Sequence, residues 1–191
     1  MKRLFVAIHI KPDPALISLV DALKSGLRYD KISWVNTAQL HLTLKFIGET
    51  NESVEAFAKA MRAATFGMQA FDLKFDKVGI FGSSYDPRVI WIGSQQQNLM
   101  LNQLGENILN EMDAIGFKRD RQNFVPHLTL GRIREIIDKP HFQQIMKSQP
   151  PQVFQQTVVD KIILYESILR REGPLYKEIS VVSLRGISDV K

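Results

Sequence analysis

His41-Leu42-Thr43-Leu44 returns 86 positions later (127 − 41) as His127-Leu128-Thr129-Leu130, a four-residue identity that spends two of the chain's four histidines. In a β-strand successive side chains point to opposite faces, so each copy sends its two leucines into a core and projects its histidine and threonine from the other side. One imidazole beside one hydroxyl is a weak signal, because histidine on a strand is commonly structural. Two copies are much stronger. A purely structural origin would have to put the same polar pair at equivalent places in two halves of the chain.

The flanks of the two copies read alike. Before the first, Arg3 to Ile10 alternates as a strand, and Asp13-Pro14 opens a helix that places Leu16, Leu19, Val20, Leu23 and Leu27 at helical spacing. Trp34-Val35 forms a short strand, Asn36-Thr37-Ala38 a turn, and His41 to Ile47 the motif strand, ended by Gly48. Thr50 and Asn51 are the expected caps of a helix reaching about Thr65 through Val54, Phe57, Ala58 and Met61. Phe71 to Ile80 reads as one strand, followed by the loop from Gly82 to Pro87 and a strand from Val89 to Ile92, together a hairpin. A helix from about Gln97 to Ile115 carries Leu101, Leu104, Ile108, Leu109, Met112 and Ile115, with Gly116 at its C′ position. The second motif strand starts near Pro126, a short helix spans Pro140 to Lys147, and strands near Val158–Leu164 and Tyr176–Leu184 close the chain.

A strand-and-helix set thus recurs on either side of residue 95, with no low-complexity linker between. The expected fold class is α+β and bilobal: two pseudo-twofold-related lobes, each with a mostly antiparallel sheet flanked by helices, and a cleft between them. Residues 1–191 are expected to form one domain of two intertwined lobes, with motifs at 41–44 and 127–130.

Composition limits what such a cleft can hold. The chain has 191 residues, 45% of them hydrophobic, enough for a packed core. It has no cysteine, so there is no disulfide framework, thiolate nucleophile or zinc-finger pattern, which fits a reducing cytoplasm. Lys2-Arg3 and the apolar residues after it imitate a signal peptide, but the run is short, contains His9 and stops at Lys11-Pro12. No segment is long enough for a membrane span. A net charge of +5 and a pI near 9.5 favour an anionic partner. Lys118, Arg119, Arg121, Arg132 and Arg134 concentrate that charge around the second motif.

A catalytic zinc wants three protein ligands, whereas each motif offers one imidazole and a poor hydroxyl ligand. His9 and His141 have no ligand spacing to either motif and read as surface or edge histidines. Neither a phosphate-cradling Gly-Lys-Ser/Thr loop nor a serine nucleophile elbow is present. Two histidines across a cleft are suited to proton transfer. Near pH 7 one accepts a proton while the other donates one, and two threonines can hold the non-bridging oxygens of a phosphodiester.

Several stretches together resemble the 2H phosphoesterase superfamily, in particular its LigT-like branch of RNA 2′,3′-cyclic phosphodiesterases. Besides both motifs these are Arg3-Leu4-Phe5-Val6-Ala7-Ile8, Trp34-Val35, Lys45-Phe46-Ile47-Gly48-Glu49, Pro126 before and Gly131-Arg132 after the second motif, Leu164-Tyr165-Glu166-Ser167, and Gly173-Pro174 with Tyr176. The resemblance implies hydrolysis of an RNA 2′,3′-cyclic phosphate end to a 2′-phosphate, with His41 as proton donor and His127 as proton acceptor. It implies that Thr43 and Thr129 bind phosphate oxygens, that Arg132 is the family's basic residue beyond the second motif, and that Phe46 helps form the nucleotide site. Neither cofactor nor metal is expected, and the partners would be RNA 3′ ends or nucleoside 2′,3′-cyclic phosphates, met by a cytoplasmic monomer. Joining of RNA at a 2′-5′ bond in the same site and non-catalytic binding of RNA ends are the alternatives. In an unbroken strand Lys45 shares the face of His41 and Thr43, as a further candidate for substrate contact. Phe46 and Arg132 would turn away unless the strand ends or bulges before them.

Overall fold

The computed structural model describes residues 1–119, 125–150, 152–171 and 173–185, which leaves Arg121 of the basic cluster outside the described residues. Its strands are β1 (Lys2–His9), β2 (Lys31–Trp34), β3 (His41–Thr50), β4 (Phe71–Phe75), β5 (Lys77–Gly82), β6 (Pro87–Gly93), β7 (Leu128–Glu135), β8 (Gln155–Val159), β9 (Lys161–Arg170) and β10 (Gly173–Ser183). Its helices are α1 (Pro14–Gly26), α2 (Val54–Thr65), α3 (Leu99–Ala114) and α4 (Lys139–Lys147).

The helix ends follow side-chain chemistry. Asp13 with Pro14 opens α1, while the Asn98 and Asp138 side chains accept from the backbone N–H groups of Leu101 and His141 to cap α3 and α4. The α2 cap is Ser53, which accepts from Ala56 N–H, and not the expected Thr50 or Asn51. Thr50 is taken up by β3, which does not stop at Gly48 but runs through it, at φ +89°. Gly116 closes α3 at φ +93°, as its position predicts.

Two expected strands prove to be four. The run from Phe71 to Ile80 breaks at Asp76 into β4 and β5, and the run from Val158 to Leu164 breaks at Asp160 into β8 and β9. Aspartate is disfavoured in strands, and here each break moves the chain to a different sheet. β4 pairs with β8 alone, in a two-stranded sheet.

The remaining strands form one sheet in the order β10-β9-β1-β3-β7-β6-β5, with β2 also paired to β7. Its two halves are the lobes. β10, β9, β1 and β3 make the first, and β7, β6, β5 and β2 the second. The halves meet where β3 and β7 pair antiparallel at Leu42 and Leu128, the one partnership recorded for these strands. The expected α+β fold of two lobes, each with an antiparallel sheet, is present, and the two lobe sheets join edge to edge at a narrow seam.

Leu4, Val6 and Ile8 of β1, with Ile10 just beyond it, project into the main core, which also takes the apolar sides of α1 to α4. Phe5 and Ala7, on the other side of the strand, join Ile163 and Tyr165 of β9 in a small second cluster, with Tyr176 against it. One side of the sheet is thus filled by helices. The other carries both motifs.

Candidate active site

Because β3 and β7 run antiparallel through the Leu42–Leu128 pair, His41 comes across the seam from Thr129, and Thr43 from His127. Each lobe contributes one imidazole and one hydroxyl. The face they occupy is fixed by the neighbouring strands: His9 and Ala7 of β1 are register partners of His41 and Thr43, and Trp91 of β6 is the partner of Thr129.

At the last residue of each motif lies a β-bulge. On β3, Ala7 pairs with Thr43 but Val6 pairs with Lys45, so Leu44 is passed over. On β7, Trp91 pairs with Thr129 but Ile90 pairs with Gly131, so Leu130 is passed over. The skipped residues are the last letters of the two repeats. Two residues opposite one reverse the alternation beyond that point, which satisfies the exception left open for Phe46 and Arg132. Phe46 becomes the partner of Phe5 and Arg132 that of Val89, so both turn to the side of the histidines. Phe46 is 56% exposed, with its ring 5.9 Å from that of Phe5.

The same bulge takes Lys45 off the face that it would share with His41 and Thr43 in an unbroken strand. It is turned to the helix side, is only 6% exposed, and its Nζ donates to the Lys118 carbonyl at 2.7 Å. Its counterpart Gly131 has a similar inward neighbour in β2, since a Cβ there would stand 2.8 Å from Ile32 and 3.0 Å from Trp34. Of the basic cluster, Arg119 is engaged by Asp113 and Glu106, while Arg132 lies close enough to both histidines to disfavour their protonation.

Both imidazoles are held in the same way. His41 Nδ1–H donates to the Gln39 carbonyl at 2.8 Å, and His127 Nδ1–H donates to the Val125 carbonyl at 2.7 Å, each two residues back along the chain. This bond fixes the tautomer and leaves Nε2 free to exchange a proton. Burial is the main cause that pushes both pKa values below the ordinary 6.5, and Arg132 adds to it; the carbonyl bonds act in the opposite direction, and His41 is lowered further by His9 and His127.

Aromatic rings brace the two histidines differently. Tyr176 meets His41 edge-on at 4.9 Å, with Phe5 at 5.0 Å, whereas Phe81 meets His127 edge-on at 4.7 Å and stacks on Trp91 at 5.2 Å. Burial and the Glu178 carboxylate push the Tyr165 phenol up to about 12, so it stays neutral beside this cluster. A groove of about 1000 Å³ opens on the His127 side, bordered by Thr43, Lys45, Phe46, Trp91 and the amides from Gln95 to Asn98. A hollow of about 140 Å³ lies on the other side of His41, between His9, Tyr165 and Tyr176.

Sequence reading assigned no role to Phe5, Phe81, Trp91, Tyr165 or Tyr176. The alternation of Phe5, Ala7 and His9 along β1 was visible, but which strand lies beside β1 was not. His9 is exposed, as expected, yet it sits in register with His41. His141 Nε2–H donates to the Gly26 carbonyl at 2.9 Å, far from either motif in structural role. Among the described residues no group of three or more His, Cys, Asp or Glu side chains is placed to hold a metal ion.

A duplicated half that delivers one histidine and one threonine to each side of a seam, on the open face of an antiparallel sheet, is the construction of a two-histidine phosphoesterase. The LigT like Phosphoesterase family matches residues 8–91 and again residues 92–176, and the chain belongs to that family. It is 32% identical over 180 residues to the RNA 2′,3′-cyclic phosphodiesterase of Archaeoglobus fulgidus, an alignment covering 94% of this chain and 98% of the relative. With the RNA 2′,3′-cyclic phosphodiesterase of Thermotoga maritima the identity is 30% over 187 residues, 96% of each chain. The crystal structure of Escherichia coli LigT in its apo form superposes with a TM-score of 0.70 at 26% identity, covering 96% of this chain and 98% of that one. LigT has also been crystallised with 3′-AMP, and that structure matches with a TM-score of 0.67 at 25% identity over the same shares.

Proposed function

We propose that this chain hydrolyses 2′,3′-cyclic phosphate ends of RNA to 2′-phosphates by two-histidine acid–base catalysis that needs no metal. The pair of imidazoles, each fixed through Nδ1 to a carbonyl and each beside a threonine, carries this reading. The names of the Archaeoglobus and Thermotoga relatives support the substrate. His127 Nε2 accepts a proton from water as the water oxygen bonds to phosphorus. The bond from phosphorus to O3′ breaks, and O3′ takes the proton that His41 Nε2 carries. A 2′-phosphomonoester and a free 3′-hydroxyl result, and a proton passing from His127 to His41 through solvent restores the starting state. Thr43 and Thr129 donate to the non-bridging oxygens, and Arg132 balances their negative charge. Phe46 offers its exposed ring to the terminal base.

With two imidazoles and two hydroxyls at hand, the charge that develops on phosphorus is met by protein donors. Purified protein should turn over a nucleoside 2′,3′-cyclic phosphate in excess chelator, giving only the 2′-phosphate. Binding without turnover, or activity that chelation removes and one divalent ion restores, would sink this reading.

A further inference from the structure

On the motif side of the sheet the residues of β1 and β3 form a ledge with a definite order. From the phosphate site outward the register partners are His9 and His41, Ala7 and Thr43, Phe5 and Phe46, then Arg3 and Glu49. Each step is two residues of β1, roughly 7 Å, while β3 spends three residues on each of the last two because Leu44 and Ile47 are passed over. The exposed ring of Phe46 therefore lies about one step from the phosphate-binding threonine, and the backbone of Arg3 about two, with the arginine side chain free to reach back over part of that distance. Phosphate site, aromatic platform and cation follow one another as phosphate, nucleoside and phosphate do along a single RNA strand.

Arg3 is exposed and makes no hydrogen bond or ion pair with any described residue, although Glu49 stands opposite it. Arg132 and Arg134 likewise make no such bond with a described residue, whereas Arg28, Arg62, Arg88 and Arg119 are each bonded to a protein partner. The Tyr176 phenol, packed edge-on against both Phe5 and His41, feels Arg3 and Arg132 together, so the two guanidiniums flank the same aromatic cluster.

We propose that Arg3 binds the phosphodiester on the 5′ side of the terminal nucleotide, so that the site prefers the end of an RNA chain to a free nucleoside 2′,3′-cyclic phosphate. This rests on the reaction proposed above. A guanidinium suits the role because its planar fork matches two phosphate oxygens and its charge survives at any working pH. No mononucleoside cyclic phosphate carries the group that Arg3 would hold, so the contact enters only with a chain.

The test compares kcat/KM for cytidine 2′,3′-cyclic phosphate with that for a trinucleotide ending in the same cyclic phosphate, in the unaltered protein and in Arg3→Gln. The trinucleotide-to-mononucleoside ratio should fall about tenfold in the variant, the usual scale for one lost charge-assisted contact. The salt dependence of trinucleotide kcat/KM should become shallower by about one charge. An unchanged ratio, or equal losses on both substrates, would overturn the role of Arg3 while leaving the reaction in place. If the unaltered protein hydrolyses neither substrate, the proposed reaction itself fails.

Discussion

A histidine becomes a directional proton carrier when one ring nitrogen is occupied, and here the occupant is in both cases the carbonyl two residues earlier. That device is local, which is why the paired histidines were legible from the repeated motif while the rings of Phe5, Tyr176 and Phe81 around them were not. On the proposed mechanism the reactive form of the free protein has His127 neutral and His41 protonated. Since burial lowers both from 6.5, the bell-shaped profile of kcat/KM against pH should be centred on the acid side of that value. An anionic phosphate between the imidazoles favours their charged forms, so the alkaline limb of kcat should lie at higher pH than that of kcat/KM. His41→Ala and His127→Ala should each lower kcat by about 10²- to 10⁴-fold. The first variant should lose the alkaline limb and the second the acid limb. Loss of the opposite limbs would exchange the two roles, and a near-normal rate in either folded variant would remove the pair from the mechanism.

At the scale of elements, the paired bulges decide which residues after each motif turn to the side of the histidines. Alternation alone selects Lys45 and rejects Phe46 and Arg132; one skipped leucine in each strand reverses that choice. A bulge leaves little trace in a single strand's pattern, because it is defined against the partner strand. The adjacent burial of Leu44 with Lys45, and of Leu130 with Gly131, is how it appears once the partners are known. The support behind His127 is equally dependent on neighbours. Trp91 stacks on Phe81 and lies over Gly79 of β5, where an added Cβ would come within 2.4 Å of the indole. Gly79→Ala should therefore cost about 1–3 kcal/mol in a denaturant titration, the scale of overpacking against a rigid ring. It should also lower kcat, since Phe81 cannot keep its edge against His127 if the indole moves. Unchanged stability and rate would mean that the indole has free space elsewhere.

For the whole molecule, the duplication was legible because each half repeats motif, helix and turn, whereas the joining of the halves into one sheet was not. Strand order depends on pairings such as Ala7 with Ile163, which no local pattern encodes. The lobe boundary in sequence is consequently not a boundary in the sheet: β1 lies between β3 and β9, so the first lobe is finished by strands from the far end of the chain. During synthesis β1 and β3 emerge early and wait with one edge bare until Lys161–Arg170 is made. Such long-range closure is slow and leaves an apolar edge open to other nascent chains. A chain ended after Val159 retains both motifs, yet it should show no cooperative unfolding and should aggregate; a cooperative transition in that fragment would contradict this. The charges at either end of the waiting strand, Lys2 and Arg3 before its apolar run and Lys11 with Pro12 after it, are where gatekeepers against such pairing belong. The strand that frames His41 is thus also the one whose long wait in the unfinished chain has to be made safe.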